Sequence, residues 1–75
     1  MLNVGDRVKT GNAKYQDDLT NSLNAGRTGT ITDRWYYLTG AINYYVTFDE
    51  PYEFMGYRVE GASYMEIDCA LEMIA

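Results

Sequence analysis

The side chains that carry most protein chemistry are scarce in this chain. It has no histidine, so the commonest general base and metal ligand is missing. Its one cysteine, Cys69, can neither close an intrachain disulfide nor complete a zinc site, which takes four nitrogen or sulfur ligands. It reads as a small buried hydrophobe in the final turn. Nothing in the sequence marks Ser22 or Ser63 as an activated nucleophile. Asp49 and Glu50 are adjacent, and neighbours on an extended chain point in different directions, so they do not form a shared acid–base pair. Asp17 and Asp18 lack the spacing of a calcium-binding EF-hand loop. The expectation is a protein with no catalytic residues, no cofactor and no metal.

The stretch GRTGTITD, residues 26–33, raises a different chemistry, because glycine loops cradle phosphates. A phosphate loop needs a Gly-Lys-Ser/Thr ending and a helix after it. Here the glycines lead into Thr28, Thr30 and Thr32 alternating with Gly29, Ile31 and Asp33, a period of two that predicts a strand. Gly26 and Gly29 then serve a turn, through a positive φ or a close approach of backbone.

The aromatic residues carry more information. Eight tyrosines stand beside one tryptophan and two phenylalanines, more rings than a core this small can absorb. Exposed Tyr and Trp next to carboxylates are common anchors of protein interfaces. Trp35, Tyr36 and Tyr37 are consecutive, so they cannot all face inward; on the phase of Ile31, Trp35 and Tyr37 go together and Tyr36 faces the other way. Tyr45 opposes the inward face of its strand. Tyr15 and Tyr52 fall in predicted loops. DEPYEF, residues 49–54, adds three carboxylates around Pro51 and Tyr52. The candidate partner-binding residues are therefore Tyr36, Tyr45, Asp49, Glu50, Tyr52 and Glu53.

Charge points the same way. Six basic and eleven acidic residues give −5, unevenly spread. Residues 1–34 hold five basic and four acidic side chains, and residues 35–75 hold one and seven, so the halves carry +1 and −6. Phosphate backbones repel such a chain, whereas a basic protein surface attracts it. Residues 1–10 contain no apolar run of the kind that leads a secreted protein, and no apolar stretch approaches the ~20 residues that span a bilayer. With a single cysteine, a reducing, cytoplasmic setting is the expectation.

The elements that must position these residues are strands. At 75 residues the chain is a single domain, 1–75. NVGDRVKT opens with a turn signal and a short strand with Val8 inward. A polar connection follows over residues 11–26, with a helical turn capped by Asp17 or Asp18. After the strand from Thr28, LTGA makes a turn, and INYYVTFD places Ile42, Tyr44, Val46 and Phe48 on one face. EPYEFMG, with the only proline, is expected to be a loop. YRVEGASYMEI is a strand with a bulge at Gly61, and a tight 3₁₀ turn at Asp68–Ala70 leads to a last strand at Leu71–Ile74. Five short strands and no long helix predict an all-β fold, a small closed or nearly closed barrel.

The stretches Gly5–Val8, Gly26–Ile31, Tyr45–Phe48 and Ala70–Glu72, under half the chain, give this outline a family likeness. The chain resembles SH3-like barrels, in particular the small barrel protein of photosystem I that is implicated in docking ferredoxin, and the variable chain of ferredoxin–thioredoxin reductase. KOW-type domains share a similar outline. The resemblance implies a five-stranded barrel. It does not bring a function across, because the acidic second half departs from a surface that docks acidic ferredoxin or binds RNA. The functional expectation is a non-enzymatic module whose acidic, tyrosine-rich surface docks a larger protein's basic surface. A small inhibitor of phage type, with carboxylates imitating nucleic-acid phosphates, is the sharper version. The alternatives are nucleic-acid binding through Arg7, Lys9, Lys14, Arg27 and Arg34 with Trp35 as a stacking platform, and a structural component of a larger complex or a homo-oligomer.

Overall fold

The structure, a computed structural model, describes residues 2–11, 23–66 and 70–74. Five strands follow one another: β1 (Arg7–Thr10), β2 (Thr28–Tyr36), β3 (Ile42–Phe54), β4 (Tyr57–Met65) and β5 (Leu71–Met73). All neighbours are antiparallel, in the order β4-β3-β2-β1-β5. The protein is all-β. Among the described residues no ladder joins β4 to β5, and the strands form one five-stranded sheet in place of the expected closed barrel.

The core is the alternating face that the sequence announces. Val8, Ile31, Ile42, Tyr44, Val46, Phe48 and Tyr64 are buried, with Leu2, Tyr52, Val59, Ala62 and Leu71 packed around them. Every second residue of β3 from Ile42 to Phe48 therefore points inward, as a pleated strand requires. Tyr44 and Tyr64 face each other across the β3–β4 ladder and bring two tyrosine rings inside. The turn between β2 and β3 falls on the predicted glycine, with the Gly40 N–H donating to the Tyr37 carbonyl at 2.9 Å.

Two irregularities change the expected facing. The β2–β3 register shifts between Ile31 and Asp33. Beyond it Arg34 lies opposite Tyr44 and Tyr36 opposite Ile42, so these two share the core face. Trp35 lies opposite Asn43 on the outer face. The facing expected for Trp35 and Tyr36 is thus reversed, because a bulge moves every later side chain to the other side. The second shift lies between Thr47 and Tyr52 of β3, where residues 48–51 span a gap that Glu60 alone spans on β4. The bulge expected at Gly61 therefore belongs to β3. It also explains why Pro51 does not end the strand: proline cannot donate to a ladder, and a bulge asks for no donor. EPYEF is strand to Phe54, not loop.

The 3₁₀ turn expected around Asp68 and Cys69, the helical turn at Asp17 or Asp18, and Lys14, Tyr15 and Ser22 lie outside the described residues. Among the described residues no helix is long and apolar enough to cross a membrane.

Candidate protein-docking surface

Gly26 and Gly29 open the chain toward the site, each for its own reason. Gly26 has φ +75°, in the left-handed region that favours glycine. At Gly29 a β-carbon would run into the Thr47 carbonyl oxygen and lie 2.8 Å from Val46 Cγ1, so only glycine lets β2 approach β3 this closely. Gly26 thus serves the turn into β2 through its positive φ, and Gly29, already inside β2, serves the close approach of backbone.

Gly26, Arg27 and Thr28 form one wall of an open cleft of about 340 Å³, and Asp49 and Glu50 form the other. Asp49 is engaged within the fold. Both its oxygens accept from the Arg7 guanidinium at 2.6 Å, and Oδ2 also accepts from the Thr28 hydroxyl at 2.8 Å. Arg7 further donates to Thr30 Oγ1 at 3.0 Å. The hydrogen bonds from Arg7, then that from Thr28, hold the Asp49 carboxyl down to about 2. The same bond raises Arg7 above the usual guanidinium value. Asp49 thus joins β1, β2 and β3 rather than offering a free charge. Glu50, beside it, is exposed.

A second shallow cleft, of about 270 Å³, follows along β3 and is lined by Pro51, Tyr52, Glu53 and Arg58. Tyr52 is half-buried. Its hydroxyl donates to Asn24 Oδ1 at 2.5 Å, and its ring packs on Phe48 and under the Arg27 guanidinium. Glu53 is exposed, opposite Arg58 on β4.

The structure therefore brings Asp49, Glu50, Tyr52 and Glu53 onto one stretch of β3, and leaves Tyr36 and Tyr45 off it. Tyr36, 58% exposed, pairs with Ile42, six residues and roughly 20 Å along β3 from Phe48. Tyr45 is half-buried on the outer face, its ring over Gly61.

The residue that the sequence reading missed is Met55. Phe54 pairs with Tyr57, leaving Met55 and Gly56 as a two-residue hairpin loop. Their φ angles are +51° and +81°. Positive φ at both central residues is the type I′ arrangement, which suits Asn-Gly or Asp-Gly. Met55 is the one non-glycine residue with positive φ among those described, and it is 81% exposed. Tyr57 follows at 77%. A Gly one residue before an apolar strand, with one residue between it and Phe54, was the available signal.

The basic residues of the first half are largely spent on the fold. Arg7 holds Asp49, Arg27 covers Tyr52 and donates from Nε to the Leu23 carbonyl, and Arg34 donates to the Leu2 carbonyl and Asn3 Oδ1. Lys9 is exposed on β1. Among the described residues no cluster of three His, Cys, Asp or Glu could hold a metal ion. No protein-family model, curated protein or solved structure matches this chain.

Proposed function

We propose that this chain is a non-enzymatic protein-binding module that docks a basic protein through the far end of its β3–β4 hairpin. Met55 carries this reading. A large apolar side chain stands in solvent, on a backbone conformation that costs an L-residue about 1–2 kcal/mol. Neither feature helps folding, and strain of this kind collects at binding sites. Glu50 and Glu53 on the same stretch of β3 give the tip an acidic border, which attracts a basic patch and repels phosphate. Asp49 and Tyr52 shape that surface from behind, and Tyr36 and Tyr45 drop out of it. The finer fold reading, an SH3-like barrel, is supported by a four-strand meander whose fifth strand returns beside the first.

The test is capture from lysate at low salt with the immobilised parent, Met55→Asn, and Glu50→Lys/Glu53→Lys. The expected result is one protein held by the parent, released by salt, and lost from both variants although each remains folded. Equal capture by all three would remove the hairpin tip from the account. Recovery of nucleic acid in place of protein would favour the basic first half.

A further inference from the structure

We propose that the hairpin joining β2 to β3 rests on a zwitterionic lipid surface, with Leu38 among the acyl chains and Tyr36 and Tyr37 at the level of the headgroups. Leu38, Thr39 and Gly40 form a three-residue loop. The Tyr37 N–H donates to the Ala41 carbonyl at 2.9 Å, and the Gly40 N–H donates to the Tyr37 carbonyl at 2.9 Å. Gly40, with φ +86°, supplies the left-handed residue that such a loop requires. The Leu38 side chain supplies nothing to the turn. It stands fully in solvent, with Tyr36 and Tyr37 exposed behind it.

Residue types and their order choose the occupant. No ionised side chain occurs from Trp35 to Phe48, so this tip offers nothing to a basic protein surface. Back from the tip the chain passes from Leu38 to Tyr37, Tyr36 and Trp35, and then to Arg34. That is an apolar side chain, then amphipathic rings, then a cation. A lipid leaflet has the same order from acyl chains to headgroup phosphates, and Trp and Tyr collect at its boundary. Both tyrosine rings are held before any contact. Asn43 Nδ2 donates to the Tyr37 hydroxyl at 2.6 Å, and the Arg34 guanidinium carbon lies 6.0 Å from the centre of the Tyr36 ring. Contact then costs little side-chain freedom. A second copy of the chain is a poor occupant. Leu38, Tyr36 and Tyr37 expose on the order of 400 Å², about half of the ~800 Å² that each partner of a stable complex buries. A leaflet sets no such minimum, because binding scales with whatever apolar area enters it. The net charge of −5 disfavours an anionic leaflet. Exposed Glu66 adds to this near the base of the hairpin, since it follows Met65, the ladder partner of Asn43. Met55 lies past the opposite end of β3, so the lipid contact stands apart from the docking tip.

Phosphatidylcholine vesicles test the contact, and Trp35, the only tryptophan, reports on it. Its emission should move to the blue as vesicles are added to the full chain, and lipids brominated in their acyl chains should quench it. Co-sedimentation with the vesicles reads binding without the tryptophan. Leu38→Asn should require about tenfold more lipid or more, because the apolar area that enters the leaflet is lost, while its urea midpoint stays that of the parent. Met55→Asn should bind vesicles like the parent. Phosphatidylserine mixed into the vesicles should weaken binding at low salt. Absence of both the blue shift and co-sedimentation at millimolar lipid would overturn the proposal. So would a Leu38→Asn protein that binds like the parent, or binding that strengthens with phosphatidylserine. A parent whose sedimentation mass rises with protein concentration, where that of Leu38→Asn does not, would overturn it by giving the tip to a second copy.

Discussion

The guanidinium carbon of Arg27 lies 3.6 Å from the centre of the Tyr52 ring. This contact fastens residues 23–27, just ahead of β2, to β3. Around it the Arg27 Nε–H donates to the Leu23 carbonyl, the Arg27 amide donates to the Thr10 hydroxyl, and that hydroxyl donates to the Asn24 carbonyl. The Tyr52 hydroxyl closes the group by donating to Asn24 Oδ1. A ring held from both sides in this way is a strut of the fold, and the surface it supports is the one with Glu50 and Glu53 at its border.

That strut has a measurable cost of removal. Tyr52→Phe keeps the ring and loses the hydroxyl bond, which should lower stability by about 1 kcal/mol. Tyr52→Leu should lower it further, by about 0.5–2 kcal/mol, because the cation–π contact goes too. Urea unfolding of the three proteins reads the order. Equal stability of the parent and Tyr52→Phe would mean that the Asn24 bond contributes nothing.

Asp49 makes stability depend on acid. Its folded carboxyl is lowered from the usual 3.8 to about 2, chiefly by Arg7 and then Thr28. A group whose folded value is depressed stabilises above its unfolded value and loses that contribution as pH falls through the folded one. The contribution is therefore present above about 3.8 and fades toward 2. Asp49→Asn should be less stable than the parent at neutral pH, with the two curves converging between those values. Both side chains are about two-fifths exposed, so salt should narrow the gap. Parallel curves across the acid range would detach Asp49 from acid unfolding.

What the sequence made legible was whatever follows from period and local turn chemistry. Ile42, Tyr44, Val46 and Phe48 alternate without interruption, so their burial could be read directly. Val8 and Ile31 were legible for the same reason. The reversal of Trp35 and Tyr36 was not, because the register shift after Ile31 leaves no mark in residue type. Pro51 read as a loop because proline is poor in a paired strand, and only the bulge in β3 makes room for it. The site was half legible. Glu50 and Glu53 are exposed on β3, as charged residues usually are. Asp49 is bound by Arg7, 42 residues away, a contact that no local pattern encodes. Met55 was passed over because an apolar residue is the wrong type for the turn it occupies, and that mismatch is what makes it informative.

Met55 should therefore give opposite answers in two assays. Asparagine tolerates the left-handed region and suits the first position of a type I′ hairpin. Met55→Asn should raise stability by about 1 kcal/mol, measured as a later urea midpoint with an unchanged slope. The same substitution should weaken partner capture. A variant that loses stability would show that the methionine packs on the fold, and would remove the main reason for reading it as a docking residue.

Gly26 and Gly29 should fail differently when each is given a side chain. A β-carbon on Gly26 meets nothing within 4 Å, so the cost of Gly26→Ala is backbone strain alone, about 1–2 kcal/mol. Asparagine at that position should recover part of it, because Asn enters the left-handed region more readily than Ala. At Gly29 the obstacle is the Thr47 carbonyl oxygen, with Val46 Cγ1 at 2.8 Å behind it. The carbonyl belongs to the neighbouring strand and cannot yield without opening the β2–β3 ladder at its Gly29–Phe48 end. Gly29→Ala should therefore cost about 3 kcal/mol or more, the upper end for an overpacked site. Asparagine should be worse still, since it adds volume and relieves nothing. Thermal melts of the four variants separate the two causes. If asparagine helped at residue 29 and harmed at residue 26, strain and close approach would have been assigned to the wrong glycines.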